Sequence, residues 1–194
     1  MLKSYIVVLW YKQNRYIGMK YTVSMIPRRI VCLSALLFSL LLTGNAMAQT
    51  QKVASVKLPH LQKYLNSTSD TTYVINFWAT WCKPCIEELP NFEALQKQSA
   101  GKPIQVVLVS MDFAKDLEKK VVPFVSRHKL QSTVFLLDEP DQNAWIDKVD
   151  PSWSGAIPAT LFVNNGRKQR FFIEKPITLA QLQEYITSIF PHNP

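Results

Sequence analysis

Three β-branched, apolar runs constrain this chain more than any other feature: "TYVINFW" at 72–78, "PIQVVLVSM" at 103–111 and "STVFLLD" at 132–138. The first two carry no charge and barely alternate, the pattern of strands buried on both faces. Helical segments separate them. One runs from about Cys82 to Ser99 and is closed by Gly101, a charged one covers 114–129 with Pro123 inside it, and a short one covers 141–149. Ahead of the runs, 51–70 predicts a short strand and a helix near Leu58–Leu65. Behind them, 159–174 reads as a hairpin around Asn164-Asn165-Gly166. A last helix, 178–190, gathers Leu179, Leu182, Ile186 and Ile189 on one face. Strands alternating with helices, then a hairpin and a helix, predict an α/β fold with a mixed sheet covered on both faces.

The formal net charge is +8 over 194 residues, but it is unevenly placed. Residues 1–48 hold six basic side chains and no acidic one, leaving 16 basic and 14 acidic residues for 49–194. No basic stripe with interleaved aromatics remains, so nucleic acid is not an expected partner. The front end reads instead as a leader. Arg28-Arg29 precede the 13-residue apolar run "IVCLSALLFSLLL", which is followed by "TGNAMA" ending at Ala48. A basic region, a short apolar run and an Ala-Met-Ala site predict a secretory signal with Gln49 as the mature start. The run is short for a membrane span. Left uncleaved, it would anchor the chain. Met19 and Met25 are alternative starts.

Cys32 lies inside that run, so the mature chain keeps only Cys82 and Cys85. The pair could exchange electrons, hold a metal or staple a loop. One closely spaced pair is not a disulfide-rich scaffold, and so short a loop restricts the unfolded chain little. Zinc needs four ligands, or three and a water. His60, His128 and His192 offer no pair at ligand spacing. Two thiolates suit Cu(I) better, so a copper-binding module stays open. Redox exchange fits the helix that starts at the pair. Its first N–H groups and macrodipole would stabilise a Cys82 thiolate, with Lys83 adding a full charge. Cys-X-X-Cys proteins reach thiol pKa values of about 3.5 to about 7, against about 8.5 for free cysteine. Pro84 suits the first helical turn. Cys82 is therefore expected to attack and Cys85, one turn on and shielded, to resolve.

Cys85, Glu88, Phe92 and Leu95 share one helical stripe. A carboxylate there is either an edge residue reaching water or a partly buried acid with a raised pKa. The second form could move a proton to or from the Cys85 thiol near neutral pH. Pro90 is expected to kink the helix.

"NFWATWCKPCIEELP" (76–90) resembles the thioredoxin superfamily, and within it the exported TlpA/ResA-like thiol–disulfide oxidoreductases. The resemblance covers about residues 50–194. It implies a thioredoxin-like fold with a central mixed sheet flanked by helices, and an extra strand–helix insertion at 132–149 before a cis-proline loop. "GAIPAT" (155–160) resembles that loop, which would make Ile157-Pro158 cis and opposite the cysteines. Pro90 matches the kink proline, and Glu88 matches the acid that ResA-like members carry near the dithiol. Asn76 stands where cytoplasmic thioredoxins have a buried Asp; an amide cannot accept a proton, so the acid–base role would move to Glu88.

The reading that follows is a leader at 1–48 and a thioredoxin-like oxidoreductase domain at 49–194, exported to a bacterial periplasm. No cofactor is expected. The partners would be disulfide-containing exported proteins and an unidentified electron donor. The chemistry would rest on Cys82, Cys85, Glu88 and Pro158, with Trp81, Lys83, Pro84, Ile157 and Trp153 as substrate contacts. A disulfide-donating oxidase and a copper chaperone on the same fold are the alternatives.

Overall fold

The computed structural model describes residues 53–190. The expected leader with Cys32, the cleavage site before Gln49, and His192 lie outside them. The chain runs β1 (Ala54–Val56), α1 (Leu58–Leu65), β2 (Thr72–Trp78), α2 (Lys83–Gln98) and β3 (Ile104–Ser110). It continues with α3 (Val122–His128), β4 (Thr133–Leu137), α4 (Ile146–Val149), β5 (Ala159–Asn164), β6 (Gln169–Ile173) and α5 (Leu179–Ile189). The strands form one sheet in the order β1-β4-β3-β2-β5-β6. β1, β4, β3 and β2 are mutually parallel, whereas β5 runs antiparallel to β2 and β6 antiparallel to β5. The expected extra unit is β4 with α4, and β4 enters the sheet between β1 and β3.

Alternation along β2 decides what each face receives. Val74 and Trp78 pack with Phe92 and Leu95 of α2 and Leu182 and Ile186 of α5. Ile75 and Phe77 pack on the other side with Leu61 and Leu65 of α1, Trp145 and Val149. Each such side chain, fully buried, contributes about 1.5–3 kcal/mol. Asn76 shares the parity of Val74 and Trp78, so it faces α2.

Two elements differ from the sequence pattern. The single helix expected over 114–129 is a 3₁₀ turn at Ala114–Asp116, a π-helical turn at Leu117–Val121 and then α3. Pro123 is the physical reason. It has no N–H and its ring crowds the carbonyl four residues back, costs that are smallest in the first turn of a helix, where α3 places it. The hairpin at 159–174 closes through the four residues 165–168, and its left-handed residue is Lys168 at φ 55°. Gly166 is needed for space: a Cβ there would stand 2.9 Å from the Ser69 carbonyl oxygen.

Candidate active site

β2 ends at Trp78, and Ala79-Thr80-Trp81 carries the chain to α2. A buried carboxylate fixes this loop: Asp112 accepts the Thr80 N–H at 2.9 Å, the Thr80 hydroxyl at 2.5 Å and the Ser110 hydroxyl at 2.8 Å. The Cys82 N–H then donates to the Ala79 carbonyl at 3.1 Å, which turns the chain into the helix. Cys82 is the N-cap, with Pro84 in the first turn. Its Sγ accepts the Cys85 N–H at 3.4 Å, so the sulfur occupies one of the helix's orphan donors. Cys82 and Cys85 are joined as a disulfide. Cys82 keeps 6% of its surface exposed and Cys85 none, so the first sulfur is the one a partner can reach. Lys83 projects into solvent and lies 3.9 Å from Glu87, one turn on. Its charge is therefore shared and solvated, and it acts weakly on Cys82. α2 continues through Pro90 to Gln98.

One turn beyond Cys85, on the same face, Glu88 is 3% exposed. One carboxylate oxygen accepts Asn76 Nδ2–H at 2.8 Å, and the other accepts the Ile177 N–H at 2.8 Å. Asn91 holds the same residue from its other side, donating to the Ile177 carbonyl at 3.0 Å. Burial pushes the Glu88 carboxyl up to about 7, although the bonds from Ile177 and Asn76 pull the other way. Desolvation wins because two neutral donors do not replace the water that a charged carboxylate loses. A group poised near neutrality, one turn from a buried cysteine, can carry a proton for it.

The opposite wall is the loop before β5. The Ile157–Pro158 peptide is cis, and the Ile157 carbonyl oxygen lies 3.9 Å from Cys82 Sγ. The loop is anchored at both flanks. Trp153 Nε1–H donates to the Ala156 carbonyl at 2.8 Å, and Glu174, just after β6, accepts the Ser154 and Ala156 N–H groups at 3.1 and 3.0 Å and also the Ser154 hydroxyl.

The model of the AhpC/TSA family matches residues 47–170. The chain belongs to that family. Among curated family relatives, the thioredoxin-like protein YneN of Bacillus subtilis is 44% identical over 71 residues, covering 37% of this chain and 41% of that protein. The thiol-disulfide oxidoreductase ResA of Oceanobacillus iheyensis is 30% identical over 118 residues, covering 61% of this chain and 57% of that one. The chain thus spans between about two fifths and three fifths of the length of these two relatives. A thioredoxin-related protein from Neisseria meningitidis serogroup B superposes with a TM-score of 0.54 at 18% identity, covering 63% of this chain and 87% of that chain. That likeness concerns the fold, which is thioredoxin-like.

In this AhpC/TSA family member, Ile157, with Pro158 next in the chain, meets Cys82 of the Cys82–Cys85 disulfide, and Glu88 follows one turn along α2, with Lys83 and Pro84 at the helix start. Trp81 stands out at 63% exposure. Trp153 is a correction. Expected as a substrate contact, it is 3% exposed and packs on Phe77, Trp145 and Phe172, and it reaches the loop beside Cys82 through its bond to Ala156. Those three rings, from β2, the residue before α4 and β6, bury it. Sequence reasoning missed Ser110, Asp112, Glu174 and Ile177. Asp112 and Glu174 carry a faint signal as acids next to strand ends; a backbone N–H such as that of Ile177 carries none. Among the described residues no three His, Cys, Asp or Glu side chains gather as a metal site, and no helix is long and apolar enough to cross a membrane.

Proposed function

We propose that the protein is an exported thiol–disulfide oxidoreductase that reduces or exchanges disulfides of other exported proteins. The observation that supports this most is the Cys82–Cys85 pair capping α2, with its outer sulfur reachable and a carboxyl of pKa about 7 one turn inside. The names of the thiol-disulfide oxidoreductase relatives favour the same reading. Residues 1–48 are read as its leader and 49–194 as the working domain, with a periplasm as the destination.

The cycle balances as two thiol exchanges. The Cys82 thiolate attacks one sulfur of a substrate disulfide, forming a mixed disulfide and expelling the other sulfur as a thiolate that takes up a proton. Cys85 gives its proton to the Glu88 carboxylate and attacks Cys82 Sγ. This re-forms the Cys82–Cys85 bond and releases the second substrate thiolate, which is protonated in turn. The substrate gains two electrons and the enzyme loses them; a dithiol electron donor restores them through the reverse steps. Pro158 and Ile157 form the wall beside Cys82, and Trp81 offers an apolar contact.

Net reduction is the proposed direction. Lys83 is solvated and shared with Glu87, so it adds little to the thiolate stability that would make the pair strongly oxidising. Equilibration with redox buffers should give a potential near about −270 mV; a value near about −120 mV would instead make the protein a disulfide donor. Insulin reduction with dithiothreitol tests the activity itself. Lack of turnover, together with tight stoichiometric Cu(I) uptake in an anaerobic titration, would favour a copper-binding role on the same two sulfurs.

A further inference from the structure

The loop from Asp150 to Pro158 has no strand or helix of its own, yet it carries a backbone carbonyl that reaches Cys82 Sγ from across the site. Two features hold it. On the inner flank, buried Trp153 grips the Ala156 carbonyl. On the outer flank, one carboxylate gathers three donors: the Ser154 N–H at 3.1 Å, the Ala156 N–H at 3.0 Å and the Ser154 hydroxyl. Between the two amides, Gly155 sits at φ 92°, which aims the N–H groups on either side of it at a common point. Such concave turns bind anions, and here the anion is a side chain of the same protein. Gly155 is also tightly packed, because a Cβ there would lie 3.1 Å from Ile146 Cδ1. Two residues on, Ile157 places its carbonyl 3.9 Å from Cys82 Sγ.

We infer that Glu174 is a positioning residue for disulfide exchange: by gathering Ser154 and Ala156 it fixes the backbone wall beside Cys82 against which a disulfide-bearing polypeptide segment docks. The inference rests on the proposed oxidoreductase reading. The geometry makes Glu174 matter for some substrates more than others. A polypeptide disulfide brings flanking backbone that must lie along residues 156–158 while its sulfur aligns with Cys82 Sγ. A small aromatic disulfide needs only the alignment. Releasing the loop therefore weakens binding of the polypeptide more than it alters the chemistry, since Cys82 is held independently through Asp112 and the start of α2.

The test uses the full chain as wild type, Glu174→Ala, Glu174→Gln and Ser154→Ala, with insulin and 5,5′-dithiobis(2-nitrobenzoate) as disulfides. Glu174→Ala should raise KM for insulin about tenfold with kcat nearly held, and change the small-disulfide rate by no more than about twofold. Glu174→Gln keeps an acceptor oxygen and should recover part of the loss, with Ser154→Ala between it and wild type. Equal kinetics for Glu174→Ala and wild type on insulin would overturn the inference, as would an equal loss on both disulfides. If wild type reduces neither disulfide, the oxidoreductase reading fails, and amide hydrogen exchange still decides the positioning role. Ser154 and Ala156 should exchange faster in Glu174→Ala while Val74–Trp78 stay protected. Unchanged protection at those two amides would refute it.

Discussion

Two walls face each other across Cys82, and each is organised by one glutamate accepting backbone N–H bonds. Glu88 lies inside, on the buried face of α2; Glu174 lies at the rim, beside the cis-proline loop. Burial raises the carboxyl in both cases. At Glu88 it prevails over the bonds from Ile177 and Asn76 and brings the group to about 7. At Glu174 burial is outweighed by the Ser154 hydroxyl and the Ser154 and Ala156 N–H groups, so the carboxyl falls below its ordinary value. Both accept good hydrogen bonds. Water access and donor number set the sign, so the inner acid is suited to moving a proton and the outer one to staying charged and holding a loop.

The largest effect should come from making the inner acid unable to titrate. Glu88→Gln is expected to slow resolution of the mixed disulfide by about a hundredfold at neutral pH, the scale of one general acid–base group. Stopped-flow pH–rate profiles would check it, and a wild-type profile in the mutant would leave Glu88 with a structural role only. Stability should respond next. Because the folded carboxyl titrates at about 7 rather than 4.5, the folded protein binds the proton more tightly than the unfolded chain does. That contribution is fully present below about pH 4.5 and is lost as pH rises through about 7, about 3 kcal/mol as an order of magnitude. Urea denaturation should show this decline in wild type and a flatter curve in Glu88→Gln; parallel curves would contradict it.

Asn76→Ala removes a donor to the Glu88 carboxylate at 2.8 Å. It should cost about 1–3 kcal/mol and move the Glu88 inflection of the pH–rate profile upward; an unchanged or lower inflection would mean that Asn76 does not stabilise the charged form. The outer acid gives the smallest effect and the opposite sign. The contribution of Glu174 is present above the ordinary glutamate range and is lost as pH falls through its lowered value. Glu174→Gln should therefore flatten only the acid limb of the stability curve. Superimposable acid limbs would show that its three hydrogen bonds do not depend on charge.

The same contrast explains what was legible in the chain. Cys82, Pro84, Cys85 and Glu88 lie within seven residues of one another on one helix, so spacing alone placed them. β2 and β3 announce themselves because a strand buried on both faces has no room for charge. The Asn76–Glu88 bond crosses 12 residues, the Ser154–Glu174 contact 20, and the Ile177–Glu88 contact 89, and each needs a sheet register that no local pattern states. Register supplies them: Asn76 pairs with Thr160 and Phe77 with Ala159, which brings the residues after Pro158 alongside the end of β2. Pro123 was visible, but its consequence was not. It shifts the start of α3 and leaves a wider turn before it, a choice between helix types that composition does not encode.

The central claim is that Cys82 attacks and Cys85 resolves. Reduced Cys85→Ser and Cys82→Ser variants, each offered an excess of 5,5′-dithiobis(2-nitrobenzoate) at neutral pH, test it most directly by intact and peptide mass spectrometry. Cys85→Ser should form a stable mixed disulfide at Cys82 within seconds, and Cys82→Ser should react far more slowly, because Cys85 is fully buried. Faster capture at Cys85 in the Cys82→Ser variant would contradict the account.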